Sequence, residues 1–247
     1  ISGSVEMLQE MRAEGEDERM LMNIVTREVR RLDTLISQFL EYSRPRELHL
    51  NATHLSALLE ELLRLFRAGT EGVIVTLDLD DALRTSRLKL DAEAMRQIIW
   101  NLLNNAAEAM HQDASLESLP DTALLEPSER ISGSFPRAAL LSHGNYPRID
   151  IRAAKVERDG LSLLQLDVED NGPGISEEAA ERIFEPFFTT KDQGTGLGLA
   201  TIFRLVEQHG GSIRVSAPQR LRGARFTVEL PYVRAREQEH VAQARGA

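Results

Sequence analysis

The stretch FEPFFTTKDQGTGLGLA, from Phe184 to Ala200, combines residue types that could hold a charged ligand. Phenylalanines, two threonines and a lysine precede three glycines that alternate with Thr195 and Leu197, and apolar residues at helical spacing follow at once. Glycines let backbone amides approach a ligand closely, and the start of a helix attracts anions. The stretch therefore predicts an anion-binding loop, and phosphate is the obvious anion.

A polar face is predicted on the helix that runs through Trp100. Gln97, Asn101, Asn105 and Glu108 follow one another at helical spacing, while apolar residues occupy the opposite face. Asparagine is a mediocre helix former, so two asparagines on one face need a reason. An amide oxygen can complete a Mg²⁺ shell already supplied with phosphate oxygens and water. A solvated polar face is the alternative, and the helix alone leaves both interpretations open.

A third segment, VEDNGPGI from Val168 to Ile175, indicates a strand that runs into a tight turn. Asp170 lies at the predicted strand end, and Gly172 and Gly174 leave open backbone beside it, where a flat ligand could approach. A carboxylate there could accept a hydrogen bond from an exocyclic amine. An ordinary Asp-Asn-Gly turn is the alternative interpretation.

Helices are predicted at the start of the chain. From Asp17 to Ser43 apolar residues recur at helical spacing, and the helix is expected to end before Pro45. A second helix is predicted around Val5 to Met11. Two such helices form too little core for a monomer, so a homodimer with a four-helix bundle is the expected solution.

After Pro45 the pattern becomes mixed α and β. Thr53 is predicted to cap a helix, Asp91 is predicted to cap the helix of the two asparagines, and a hairpin is expected to turn at Asp159-Gly160. Strands are predicted at 47–50, 73–77, 87–90, 148–152, 161–168, 212–216 and 225–230, and a helix at 55–66. The predicted fold class is α+β: an N-terminal antiparallel helical hairpin followed by an α/β sandwich with a mixed sheet.

The composition excludes several functions. The net charge is -10 and no block is rich in lysine or arginine, which argues against nucleic acid as a partner. The chain has no cysteine, so it offers neither a disulfide nor a thiolate metal site. No apolar run approaches the ~20 residues that span a bilayer. We therefore expect no membrane contact from this chain itself and a cytoplasmic location, with any membrane anchor of a parent protein elsewhere.

Taken in chain order, these segments resemble the ATP-binding domain of sensor histidine kinases, which has a GHKL-type, Bergerat fold. Gln97–Ala106 is similar to the asparagine box of that family, and Asp170–Gly174 to its first glycine box. Phe184–Phe188 and Gly194–Gly198 are similar to its phenylalanine box and second glycine box. FEPFFTTK followed by GTGLGLA resembles the nitrogen-regulation and pilus-regulation subgroup. The helical pair before Pro45 resembles the dimerisation and phosphoacceptor hairpin, so the resemblance covers nearly the whole chain.

The resemblance implies roles for individual residues toward ATP and Mg²⁺. Asn105 is similar to the Mg²⁺-binding asparagine, Asn101 would line the phosphates, and Lys191 would meet a terminal phosphate unless it is merely solvated. Asp170 resembles the aspartate that binds the adenine amine, and Thr227 resembles the threonine that supports this contact. The catalytic set is thus Asn101, Asn105 and Lys191, and the nucleotide-binding set is Asp170, Gly172, Gly174, Thr190, Gly194, Thr195, Gly196, Leu197, Gly198 and Thr227. Phe187 and Phe188 are either core residues or a contact between the loop and the helical hairpin, and we expect the contact for at least one of them.

The resemblance also divides the chain. Residues 1–45 would be a truncated dimerisation hairpin, residues 46–234 the ATP-binding domain with an inserted loop at 111–147, and residues 235–247 a polar tail. The His-Glu-x-x-Asn-Pro type of acceptor sequence is not found, and the six histidines present lie outside any such context. We expect a truncated chain whose acceptor histidine is missing.

The function implied is that of a two-component histidine kinase core, which transfers the γ-phosphoryl group of ATP to a histidine and thence to an aspartate of a response-regulator receiver domain. A degenerate, nucleotide-sensing module that binds the regulator is one alternative. A GHKL-type ATPase is another. Asn101 stands where the related ATPases carry the glutamate that activates water, and asparagine cannot act as that base, which favours the kinase.

Overall fold

The computed structural model describes residues 16–43, 47–111, 113, 146–191, 194–218 and 221–235. The predicted helix around Val5 to Met11 and most of the predicted insertion lie outside these ranges. The N-terminal part of the described chain is one long helix, α1 (Glu16–Ser43), as predicted. Six of its apolar side chains are more than 40% exposed: Met20, Val25, Leu32, Ile36, Phe39 and Leu40. In the described ranges, no helix is long and apolar enough to cross a membrane.

The rest of the chain forms an α/β domain with two sheets. Its elements are β1 (Asn51–His54), α2 (Leu55–Gly69), β2 (Ile74–Leu79), α3 (Asp81–Thr85), β3 (Arg87–Leu90), α4 (Ala92–His111), β4 (Arg148–Arg158), β5 (Leu161–Asp170), α5 (Glu177–Ala180), α6 (Gly198–Gln208), β6 (Ser212–Ser216) and β7 (Arg225–Pro231). Strands β1 and β3 pair antiparallel. The larger sheet has the order β2-β4-β5-β7-β6, and only its β2-β4 pair is parallel among the described strands. The predicted mixed sheet is confirmed.

One face of the larger sheet forms the core with helices α2, α4 and α6. The core side chains alternate along the strands, as in Leu164, Leu166 and Val168 of β5, and each helix contributes one apolar stripe. Helix α4 supplies nine buried residues, including Ile98, Ile99 and Leu102. Because α4 packs by this stripe, its polar stripe is directed away from the core.

The opposite face of the sheet is polar. Asp167 and Glu169 of β5 and Thr227 of β7 are all buried. Arg225 lies over the two carboxylates, 2.8 Å from Asp167 and 3.5 Å from Glu169. The long arginine side chain covers charged groups that would otherwise meet water, and hydrogen bonds satisfy Asp167.

Some local predictions were wrong. Residues 47–50 are not a strand; the strand is β1, which begins at Asn51 and pairs with β3. Thr53 therefore belongs to β1 and its hydroxyl donates to Leu90 O, while His54 precedes α2 without a side-chain cap. After β7 the chain runs beside β3, where Lys89 N donates to Val233 O at 2.8 Å.

The β4-β5 hairpin turns where predicted. Asp159 (φ 52°) and Gly160 (φ 76°) both adopt left-handed backbone, as a tight two-residue turn requires. The two strands are longer than predicted, and β5 extends to Asp170, which lies at its end.

Candidate functional site

Helix α4 places the two predicted asparagines at the edge of the core. It begins after Asp91, whose Oδ1 accepts from Ala94 N at 2.9 Å, so the predicted cap is confirmed. Asn101 and Asn105 are half-buried, and Glu108, one turn further along, is exposed. The stripe that carries them borders the two loops described next.

Asp170 is held by the backbone of two neighbouring segments. It is 4% exposed, and its Oδ1 accepts from Gly172 N at 2.9 Å and from Ala224 N at 3.2 Å. Its own carbonyl accepts from Gly223 N at 3.0 Å. Burial raises the pKa of Asp170, and the two backbone hydrogen bonds only partly offset this effect. Within the described ranges, every hydrogen bond to this carboxylate uses Oδ1, so Oδ2 can accept from a ligand.

Glycine is required around Asp170 because backbone segments approach it closely. A Cβ on Gly223 would lie 2.0 Å from Asp170 Oδ1 and 2.5 Å from Gly172 N. A Cβ on Gly172 would lie 3.1 Å from the same oxygen and 3.4 Å from Met110 Cγ of α4. The tight turn predicted at Gly172 is therefore confirmed, but the contact of Gly223 with Asp170 was not predicted from the sequence. The sequence feature that could have indicated this contact is the Gly-Ala pair just before the last strand, which lies far from Asp170 along the chain.

The glycine-rich loop lies between the phenylalanine segment and α6. Gly196 (φ +67°) packs directly on the backbone of Phe187, and a Cβ there would lie 2.4 Å from Phe187 C. Phe187 N donates to Gly196 O at 3.0 Å. Helix α6 begins at Gly198, and the residue before it, Leu197, provides no side-chain cap. The first amides of α6 therefore retain the capacity to bind an anion.

Lys191 joins this loop to the asparagine helix. Its Nζ lies 2.5 Å from Glu108 Oε2, and its backbone N donates to Thr189 Oγ1 at 3.1 Å. Thr190, between them, is exposed. Glu108 was predicted to lie on the polar stripe of α4, but its spacing indicated no role for it. The contact shows that the loop and the asparagine stripe face the same space.

Phe187 and Phe188 have different environments. Phe187 is 58% exposed, has a left-handed backbone (φ 68°), and stacks on Phe39 of α1 with ring centroids 6.3 Å apart. Phe188 is half-buried against the core, with the Arg182 guanidinium over its ring at 4.5 Å. Phe187 is thus the residue that contacts α1.

The structure does not bring Thr227 to Asp170. Its hydroxyl donates to Asp167 Oδ1 at 2.6 Å, and the two residues are direct partners across β5 and β7. Asp167 and Asp170 are three residues apart on one strand, so their side chains point to opposite faces of the sheet. The segment beside Asp170 is Gly223 and Ala224. Thr227 therefore supports the polar face of the sheet and not the Asp170 site.

The two asparagines of α4 could bind Mg²⁺ only if other oxygen ligands complete its coordination shell. Among the residues the structure describes, no group of three His, Asp or Glu side chains could hold a metal ion. Asn101 and Asn105 offer neutral amide oxygens, which complete a Mg²⁺ shell when phosphate and water supply the rest. The residues therefore fit a metal that arrives with a nucleotide.

Comparison with known proteins decides the family. Residues 90–234, more than half of the chain, match the family described as "Histidine kinase-, DNA gyrase B-, and HSP90-like ATPase". The chain belongs to this ATPase family. The matched range begins at the end of β3 and includes Asn101, Asn105, Asp170 and the glycine-rich loop.

Two similar curated proteins are named as histidine kinases. The chain is 29% identical to sensor histidine kinase ZraS of Escherichia coli (strain K12) over 233 residues, covering 94% of this chain and 42% of ZraS. It is 32% identical to signal transduction histidine-protein kinase AtoS of the same organism over 235 residues, covering 94% of this chain and 32% of AtoS. The chain thus spans less than half the length of these curated relatives.

Solved structures share the fold. Histidine kinase ThkA in complex with response regulator protein TrrA matches with a TM-score of 0.61 and 25% identity, over 94% of this chain and 57% of that chain. Full-length ShkA in complex with AMPPNP matches with a TM-score of 0.64 and 23% identity, over 95% of this chain and 43% of that one. The predicted fold class, a helical N-terminal region followed by an α/β domain of the GHKL type, is confirmed.

Proposed function

We propose that this chain is the ATP-binding catalytic core of a two-component sensor histidine kinase. Its parent would transfer the γ-phosphoryl group of ATP to a histidine and then to an aspartate of a response regulator. The observation that carries the proposal is the buried Asp170 carboxylate, which two backbone amides hold, in one domain with the asparagine helix and a glycine-rich helix start. Relatives named as histidine kinases match over nearly the whole chain.

In this proposal each end of the site binds one part of ATP. Oδ2 of Asp170 accepts from the exocyclic amine of adenine, while Gly172 and Gly174 allow the flat base to approach. Asn101, Asn105 and Lys191 bind the phosphates, together with the amides of the loop from Gly194 to Gly198. Asn105 would contribute an amide oxygen to Mg²⁺, which supplies positive charge to the phosphates when bound. The chain contributes to the reaction by positioning the phosphates of ATP and by neutralising their charge.

Asn101 favours transfer over hydrolysis. Its amide has no basic lone pair with which to take a proton from water, so the site lacks that general base. A nucleotide held this way stays intact until an imidazole reaches it. A steady release of phosphate from ATP would instead support the ATPase alternative.

The histidines that the structure describes have other contacts. His54 Nε2 accepts from Arg87 Nε at 2.8 Å, and rings of His111 and His209 bond to carbonyls of their own helices at 2.7 Å. His49 precedes β1 and lies in neither sheet. We therefore propose that the acceptor imidazole is not one of these residues.

We further propose a homodimer through the N-terminal helices, with the response regulator docking beside them. The exposed apolar stripe of α1, from Met20 to Leu40, supports the dimer because so much apolar surface on one helix is usually covered by a partner. The structure of ThkA with TrrA supports a response regulator as the second partner.

A transfer experiment tests the proposal. The chain is mixed with labelled ATP, Mg²⁺ and a longer version of the protein that carries the upstream segment and is disabled by Asn105→Ala. We expect acid-labile label on the longer chain. Nucleotide binding without transfer, in dimers shown to be mixed, would contradict the kinase and support the nucleotide-sensing module.

A matched pair of variants controls the experiment. Asn105→Ala should lower the affinity for ATP in the presence of Mg²⁺ by at least about tenfold, since a metal ligand is lost. Glu93→Ala, an exposed position in the first turn of the same helix and about three turns from Asn105, should keep binding and transfer. Equal losses in both variants would indicate damage to α4 rather than loss of a ligand.

A further inference from the structure

Asp113, near the start of the predicted insertion at 111–147, contacts the loop that packs on Asp170. Asp113 pairs with Arg222, which lies on the loop before β7. The Asp113 side chain is 12% exposed and that of Arg222 is 56% exposed, so the pair is partly shielded from solvent. Neither residue was assigned a role from the sequence.

The loop that carries Arg222 is the one that closes on Asp170. The next residue, Gly223, donates its amide to the Asp170 carbonyl at 3.0 Å, and Ala224 donates to Asp170 Oδ1 at 3.2 Å. A movement of this loop away from Asp170 would therefore break two hydrogen bonds to a buried acidic residue. The orientation of the carboxylate depends on the loop staying in place.

Asp113 is itself anchored to the helix that borders the site. Its backbone N donates to Met110 O at 3.1 Å, and Met110 packs beside Gly172. The ion pair thus connects the end of α4 to the loop of Gly223 and Ala224, with the turn after Asp170 between them.

We propose that the Asp113–Arg222 ion pair is a positioning contact for the purine subsite, which holds the 221–224 loop against Asp170 and so favours adenine over guanine. This inference rests on the proposed function. The carboxylate favours a base that presents an amine and disfavours one that presents a carbonyl at the same place. When the loop loosens, the oriented carboxylate is lost, and the preference for ATP over GTP falls.

Variants of the pair test this inference by the dissociation constants of Mg·ATP and Mg·GTP. Asp113→Asn and Arg222→Gln should each weaken ATP binding about threefold to tenfold, as expected for a partly buried ion pair, and leave GTP binding within about twofold. In the transfer assay the KM for ATP should rise by the same factor while kcat stays within about twofold, because the phosphate end is untouched. The swapped variant, Asp113→Arg with Arg222→Asp, should recover most of the ATP preference.

Arg84→Gln is the matched control. Arg84 is 54% exposed, close to the value for Arg222, and pairs on α3 with the fully exposed Asp81, so its substitution removes an arginine–aspartate pair far from the loop. An ATP-to-GTP affinity ratio that stays unchanged in both single variants, with wild-type binding of ATP intact, would overturn the inference. The inference would also be overturned if the single variants lose the preference for ATP and the swapped variant does not recover it. That result would indicate that Arg222 contacts the nucleotide directly. Failure of the wild-type chain to bind ATP would instead overturn the proposed function.

Discussion

Lys191 Nζ lies 2.5 Å from Glu108 Oε2, so the glycine-rich loop and the asparagine helix are joined by an ion pair at the proposed phosphate site. A terminal phosphate that binds Lys191 has to compete with this carboxylate. We expect Glu108→Gln to tighten ATP binding about threefold, the size of a partly exposed ion pair, and to change ADP binding less. Titration calorimetry with both nucleotides would measure this.

A double-mutant cycle identifies the cause. In a Lys191→Met background, Glu108→Gln should have no effect on ATP affinity if the two residues compete as described. If Glu108→Gln still tightens ATP binding in the Lys191→Met background, the cause is repulsion between the Glu108 carboxylate and the phosphates instead. Glu93→Gln, which removes a 70% exposed carboxylate near the other end of α4, controls for net charge.

Gly196 has a left-handed backbone and lies against the backbone of Phe187, so a Cβ added to Gly196 would lie only 2.4 Å from Phe187 C. Gly196→Ala should therefore displace the loop and reduce nucleotide affinity by more than about tenfold. The backbones of residues 187 and 196 cannot move apart without a large cost in free energy. Gly69→Ala, at the end of α2 and outside the site, is the control, because nothing lies within 4 Å of a Cβ at that position. Normal nucleotide binding by Gly196→Ala would contradict the assigned geometry of the loop.

Asp170 carries a buried charge whose pKa burial raises. A carboxyl group with a raised pKa destabilises the folded domain at neutral pH, and this cost is relieved as the pH falls through the folded pKa. Asp170→Asn should thus raise the free energy of unfolding at pH 7 by about 1 kcal/mol while abolishing adenine binding. Urea unfolding and nucleotide titration measure the two effects; a variant that is less stable and still binds ATP would contradict both roles.

Asp167 is expected to show the opposite pH dependence. Burial alone would raise its pKa, but hydrogen bonds from Arg225, Thr227 and Gln165 outweigh burial and lower it. Its contribution to stability is therefore complete above the ordinary aspartate pKa of about 3.9 and is lost as the pH falls through its lower folded pKa. Asp167→Asn should cost about 2 kcal/mol at pH 7 and reduce the acid dependence of unfolding. Unfolding curves from pH 7 to pH 2 that match those of the wild type would contradict this.

The stacking of Phe187 on Phe39 connects α1 to the backbone of the phosphate loop, because Phe187 N donates to Gly196 O. Phe39→Ala should leave ATP affinity within about twofold but remove the nucleotide-dependent change in hydrogen exchange along α1 that we expect in the wild type. Leu40→Ala, next to it and 61% exposed, is the control for the loss of apolar surface. A wild-type α1 that exchanges equally with and without ATP would contradict the coupling.

The elements with strong local patterns were predictable from the sequence. The long helix α1 and the strand β3 follow from periodic apolar residues, and the β4-β5 turn follows from Asp159-Gly160. Strand β1 was misplaced because NATH has no alternating pattern, and its position depends on pairing with β3. Helix α3, five residues long, was missed because it contains little more than one turn.

Local spacing along the chain was enough to predict the candidate groups: two asparagines on one helical stripe, an aspartate at a strand end and a glycine-rich loop before a helix. The contacts between these groups depend on the folding of the whole domain. It directed Thr227 to Asp167, brought Gly223 and Ala224 to Asp170, and joined Lys191 to Glu108. The physical reason is that spacing along a helix or strand sets which side chains share a face, whereas contacts between distant segments depend on sheet register and packing.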